Sequence, residues 1–181
     1  SADGSHYAYL ARKDRSWQIV HNDFVGKSFD AVRDLMFNPV TNQLACAVYT
    51  DRKWQLMHGG ELDPGFSAVG GLSFSGDGKH LVYWAKRGGA FHAVLNGKVG
   101  PAFDGVGEFT FSPDSQLLAY LANLHRKLSV VRNGEPGPTY DIIRRLAFSP
   151  DSRRLGYLAT SGDFEFAVIG EQPEQPYEKV N

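Results

Sequence analysis

Basic side chains recur in short groups along this chain of 181 residues: Arg12, Lys13 and Arg15, then Arg33, Arg52-Lys53, Lys86-Arg87, Arg126-Lys127 and Arg144-Arg145. Guanidinium and ammonium groups at that density recognise carboxylates or phosphates. Covalent chemistry finds fewer candidates. A serine hydrolase needs Gly-x-Ser-x-Gly on a strand-to-helix elbow; Gly65-Phe66-Ser67 and Gly71-Leu72-Ser73 approach that pattern and miss its spacing. The six histidines, His6, His21, His58, His80, His92 and His125, include no pair with metal-ligand spacing on one element. Cys46 is the single cysteine, which excludes an internal disulfide and a cysteine-built metal site. It reads as a small core residue. Asp30, Asp104, Asp141 and Glu178, with Ser67 in the same series, sit at near-equivalent positions. Paired-acid catalysis needs two carboxylates in different surroundings, so these acids read as groups that fix turns by accepting backbone N–H bonds. The expectation is a chain without catalytic residues, metal site or cofactor.

The elements that must position the basic groups follow from composition and repetition. With 42% hydrophobic and 22% charged residues and a net charge of −1, the chain is neither disordered nor uniformly basic. No run approaches the roughly 18 apolar residues of a membrane-spanning helix, and no membrane insertion is expected. Twenty glycines and 13% aromatic residues favour short strands joined by turns.

Phe37, Phe74, Phe111 and Phe148 stand 37 residues apart. The repeats are 1–37, 38–74, 75–111, 112–148 and 149–181, read as one domain. Each carries a strand b such as Leu81-Val82-Tyr83-Trp84 and a strand c such as Phe91-His92-Ala93-Val94, and the first four end in a strand a that closes at the phenylalanine. A tight turn follows: Asn22-Asp23, Gly59-Gly60, Asn96-Gly97, Asn133-Gly134 or Gly170-Glu171. Asn-Gly between apolar runs is a strong hairpin signal, because both residues tolerate positive φ. A short strand d then brings Phe29, Phe66, Phe103, Tyr140 or Tyr177. Trp17, Trp54 and Phe91, which begin strand c, read as core between repeats rather than as a ligand cage. Four-stranded tandem units of this kind predict an all-β propeller, five-bladed or an arc of a larger ring.

The turn between strands a and b appears as Phe111-Ser112-Pro113-Asp114-Ser115 and Phe148-Ser149-Pro150-Asp151-Ser152. It resembles the TolB-type, WD40-like propeller repeat, and the resemblance spans the whole chain. It lacks the Gly-His and Trp-Asp of true WD40 repeats. There are b, c and d strands in five repeats and a strands in four, so one innermost strand is expected from the rest of a longer chain or from a strand-swapped second protomer. The sequence has neither an initiator Met nor a signal peptide, which favours a piece of a longer chain. With the resemblance, this implies a bacterial, periplasmic or otherwise extracytoplasmic setting over a cytoplasmic one.

In a propeller the b–c and d–a connections share one face. That face collects all twelve basic residues named above, against the acids Asp14, Asp34, Asp51, Glu108 and Asp163. The opposite face carries Asp3, Asp23, Glu61, Asp63, Asp77, Asp114, Glu135, Asp151, Glu171 and Glu174 against Lys27, Lys79, Lys98, Arg153 and Arg154. A one-sign face steers partners of opposite sign. The expected function is a non-enzymatic scaffold whose basic face docks an acidic protein. An accessory propeller beside a hydrolase or peptidase is one alternative. Nucleic-acid binding is another, ranked lower because the aromatic residues lie in strands rather than in the basic loops.

Overall fold

The computed structural model describes residues 1–170, with the strand positions 172–173 and 177–178. These residues form strands and turns and no helix. Sheet one holds β1 (Ala8–Lys13), β2 (Ser16–His21) and β3 (Phe24–Phe29). Sheet two runs β4 (Ala31–Phe37), β5 (Leu44–Thr50), β6 (Lys53–His58) and β7 (Glu61–Leu62). Sheet three runs β8 (Ala68–Phe74), β9 (Leu81–Arg87), β10 (Ala90–Leu95) and β11 (Lys98–Val99). Sheet four runs β12 (Gly105–Phe111), β13 (Leu118–Leu124), β14 (Lys127–Arg132) and β15 (Glu135–Tyr140). Sheet five runs β16 (Ile142–Phe148), β17 (Leu155–Ser161) and β18 (Phe164–Ile169), with β19 (Gln172–Pro173) and β20 (Tyr177–Glu178) both on β18. Sheet one has three strands because the chain supplies no a strand for it, as the repeat count predicts. Glu171 and Glu174, and the side chains of Tyr177 and Glu178, lie outside the described residues.

The a–b turns follow from the Ser-x-Asp triplets. Ser75 Oγ donates to Asp77 Oδ1 at 2.7 Å, and the backbone N–H groups of Lys79 and His80 donate to Asp77 Oδ1 and Ser75 Oγ. Ser112 with Asp114 and Ser149 with Asp151 repeat the arrangement at 2.6 Å. These hydroxyl and backbone donors hold the three carboxyls below the ordinary carboxylate range. Asn22, Asp23, Gly59, Gly60, Asn96, Gly97, Asn133 and Gly134 all take positive φ, so the c–d connections are the tight hairpins expected from their sequences.

Two features depart from the sequence reading. In sheets two and three the outer strand is broken: after β7 and β11, single bridges join Phe66 to Trp54 and Phe103 to Phe91. Pro64 and Pro101 stand in the gaps and cannot donate to a ladder. Every a strand also carries a bulge. Register slips between Arg33 and Met36, Gly70 and Ser73, Gly107 and Thr110, and Arg144 and Ala147. Asp34, Gly71, Glu108 and Arg145 take left-handed φ there.

The chain falls into two compact units, one of Ser1–Gly89 with Val94–Lys98, the other of Ala90–Ala93 with the chain from residue 99 onward. In the first, Ile19 and Phe29 pack with Cys46 and Val48. Cys46 is fully buried, and burial pushes its thiol up to about 12. In the second, Ala119, Leu121 and Val130 pack with Ile143, Tyr157 and Val168.

Candidate docking surface

Within each sheet, register fixes which connections share an end. Ala31 pairs with Tyr49, so β4 starts beside the Asp51-Arg52 turn, while Phe37 pairs with Leu44 at the other end. In the first unit, Arg15 and Arg52 stand in b–c turns, while Arg12 and Lys13 end β1, Lys53 opens β6, and Lys86 and Arg87 end β9, all beside those turns rather than in loops as the sequence suggests. In the second, the β13–β14 turn carries Arg126, and Lys127 opens β14. Arg33, Arg144 and Arg145, read from sequence as loop residues, instead lie inside β4 and β16, because the bulge extends the inner strand through them. Arg33 and Lys86 are half-buried; the other ten are exposed.

The turns that present these groups are strained and braced. Asp51 and Arg52, and His125 and Arg126, take left-handed φ, which costs a non-glycine residue about 1 kcal/mol each. Equivalent turns in sheets three to five are braced by the residue just before the first strand of the same sheet. Asp104 Oδ2 accepts from the N–H of His125 at 2.7 Å, and Asp141 Oδ2 from that of Gly162 at 2.9 Å. Ser67 Oγ donates to the Lys86 carbonyl at 2.8 Å. Asp104 and Asp141 thus fix turns, though on a hairpin 21 residues away in sequence rather than locally.

Three arginines of the first unit lie on aromatic rings. Arg33 sits 4.1 Å from the Trp54 ring centroid and 5.9 Å from that of Trp84, and its Nη2 donates to the Val69 carbonyl. Arg87 lies 4.7 Å from Phe66, and Arg12 lies 5.8 Å from Trp17. Trp17, Trp54 and Trp84 are half-buried, as is Phe91. Gly70 makes room for this: a Cβ there would come within 2.7 Å of the Trp84 ring and 3.3 Å of Asp34 Oδ2. Basic groups of the second unit have acidic neighbours instead. Lys127 lies 3.2 Å from Asp141, and Arg144 lies 3.8 Å from Glu165.

Sequence reasoning also missed a histidine pair. The β1–β2 hairpin brings His6 Nδ1 to 3.0 Å from His21 Nε2, with Asn22 Nδ2 at 2.8 Å from the same His6 nitrogen. His21 faces Ala8, so His6 is its diagonal neighbour across the hairpin, a relation that a search for spacing on one element cannot see. Among the described residues no group of three or more His, Cys, Asp or Glu side chains could hold a metal ion.

No family model matches the chain, and no curated protein matches it. Among solved structures it is similar to the β-propeller domain of the Trilobed protease from Pyrococcus furiosus, with a TM-score of 0.52 at 9% identity over 96% of this chain and 66% of that one. The fold is a β-propeller. An oligogalacturonate lyase in complex with manganese resembles the propeller with a TM-score of 0.50 at 11% identity, over 88% of this chain and 55% of that one. TolB from Acinetobacter baumannii gives a TM-score of 0.49 at 18% identity, over 92% and 50%. The propeller therefore spans about half to two thirds of the length of these structures. Its sheets are the blades, and the strands a to d run from β4 to β7 in the second blade.

Proposed function

We propose that this propeller is a non-enzymatic scaffold that docks an acidic protein segment on the ring-backed arginines of its first unit. The observation that carries the reading is Arg33 held between Trp54 and Trp84. A guanidinium on an aromatic face keeps its full charge and is oriented before a partner arrives, so less side-chain entropy is lost on binding. Arg12 and Arg87 repeat the device, and Lys13, Arg15, Arg52, Lys53 and Lys86 add charge around it. Arg126, Lys127, Arg144 and Arg145 contribute less, since carboxylates already stand beside two of them. The rings below the arginines are covered by them, which favours a carboxylate-rich peptide over stacked nucleobases. We place the protein outside the bacterial cytoplasm on its TolB-type turns.

The test is fluorescence anisotropy with a labelled Glu-rich peptide and with single-stranded DNA of equal charge. The reading expects peptide binding that weakens steeply with salt. Tighter binding of the DNA than of the peptide would replace it with the nucleic-acid reading, and binding of neither would remove it.

A further inference from the structure

The repeats agree on one position after the c–d turn, and the second repeat breaks it with a carboxylate. Gly26, Gly100 and Gly137 hold that position in the first, third and fourth repeats, where the second has Asp63. Glycine suits the place. A Cβ would lie 3.1 Å from the Ile19 carbonyl oxygen at Gly26, 3.0 Å from that of Ala93 at Gly100 and 3.4 Å from that of Val130 at Gly137. Asp63 keeps the same backbone bond: its N–H donates to the Leu56 carbonyl at 2.8 Å, as that of Gly100 does to Ala93 at 2.9 Å. Its carboxylate reaches sheet three, where Tyr83 Oη donates to Asp63 Oδ2 at 2.8 Å. The fold does not call for that bond. Tyr120 and Tyr157 hold the repeat position of Tyr83, and both are buried although the preceding repeat carries Gly100 or Gly137 in place of Asp63.

Asp63 also walls a hollow of about 320 Å³ between sheets two and three, inside the first unit. Leu56, His58 and Asp63 line it from sheet two, and Phe74, Lys79 and Leu81 from sheet three. A Cβ on Gly97, in the same wall, would lie 3.9 Å from Asp63 Oδ1, and among the described residues that oxygen has no hydrogen-bond partner. The His58 ring lies 5.8 Å from that of Phe74, and its buried Nε2 has no partner either. Lys79 pairs with Asp77 at 3.5 Å, which leaves Asp63 as the uncompensated charge of the hollow. Phe74 pairs with Leu81 beside the a–b turn, so the hollow lies at the end of the sheets away from the basic turns.

We infer that this hollow binds a small primary amine with a compact apolar body. The ammonium donates to Asp63 Oδ1, and the body lies on Leu56, Phe74 and Leu81. A charge-assisted hydrogen bond to a half-buried carboxylate is stronger than one in open water, and Tyr83 orients the carboxylate before the ligand arrives. A neutral alcohol brings a donor without the charge, and an anion is repelled. The size agrees as well. A cavity of about 150 Å³ holds benzene, and one of about 320 Å³ has room for a phenyl ring with an aminoethyl arm. The hollow shares no residue with the basic set, so it stands apart from the acidic-partner reading.

The test is a two-dimensional amide NMR titration of the 181-residue chain with phenethylamine, phenethyl alcohol and phenylacetate. The amine is expected to bind saturably, to shift the amides of Leu56, Asp63 and Gly97, and to bind at least about tenfold more tightly than the alcohol. Asp63→Asn keeps an acceptor for Tyr83 and removes the charge, and Asp63→Gly installs the residue of the other repeats. Each should lose amine affinity by at least about tenfold and leave that of the alcohol unchanged. Circular dichroism verifies folding, and Asp63→Gly carries the comparison if Asp63→Asn melts early. Absence of saturable amine binding, equal affinity for amine and alcohol, tighter binding of phenylacetate, shifts confined to the basic turns, or folded variants that bind the amine as the wild type does would each overturn the proposal.

Discussion

The two units of this propeller set similar basic side chains in different surroundings. In the first, Arg12, Arg33 and Arg87 lie over indole or phenyl rings. In the second, Lys127 and Arg144 lie within 4 Å of carboxylates. An exposed ion pair is worth about 0–1 kcal/mol and cancels the field that an incoming acid would feel. A ring beneath a guanidinium is worth a similar amount and cancels nothing. Charge counted along the sequence therefore overstates the second unit and understates the first.

The largest expected effect separates the units directly. Replacing Arg12, Arg33, Arg52 and Arg87 by alanine should weaken binding of an acidic peptide by about 100-fold, roughly 2.7 kcal/mol. Replacing Arg126, Lys127, Arg144 and Arg145 should cost less than about tenfold. Equal losses in anisotropy titrations would abolish the distinction. A smaller effect isolates orientation from charge. Gly70→Ala puts a methyl against Trp84 and Asp34 while leaving every arginine in place. It should weaken binding by about tenfold if the stack matters, near 1.4 kcal/mol.

Turn strain gives a third comparison, with opposite signs for stability and docking. Arg52→Gly removes a side chain from a left-handed position and should stabilise the fold by about 1 kcal/mol while lowering affinity. Thermal melting checks the first sign and anisotropy the second. The smallest effect concerns acid. Asp77, Asp114 and Asp151 have depressed folded-state pKa values, held down first by their serine hydroxyls. As pH falls the unfolded chain takes up protons first, near pH 3.9, so their contribution is full above that value and lost as pH drops through the folded values. Urea midpoints should be flat above about pH 5 and fall below it, and less steeply in Ser112→Ala.

The sheets were legible because a 37-residue period, Asn-Gly turns and Ser-Pro-Asp turns all agree. Even the incomplete first sheet follows from counting a strands. The bulge was not legible: of its left-handed residues, Asp34, Glu108 and Arg145 lack the glycine that marks Gly71. That hidden bulge moved Arg33 and Arg144 from loops into strands. The Arg33 stack was equally hidden, since its partners come from β6 and β9, on two different sheets. Periodicity reveals which positions are equivalent; it does not reveal that only one arginine of a series meets two tryptophans.

All three tryptophans, Trp17, Trp54 and Trp84, belong to the first unit. Their emission therefore reports docking there and is silent on the second unit. The most direct measurement is a titration of the wild-type protein with an acidic peptide, following tryptophan emission and peptide anisotropy together. Docking on the ring-backed arginines predicts that both signals saturate at the same peptide concentration, and that Arg33→Ala removes most of the emission change. Anisotropy that saturates while emission stays flat would contradict it, because the peptide would then be bound away from the stacked arginines.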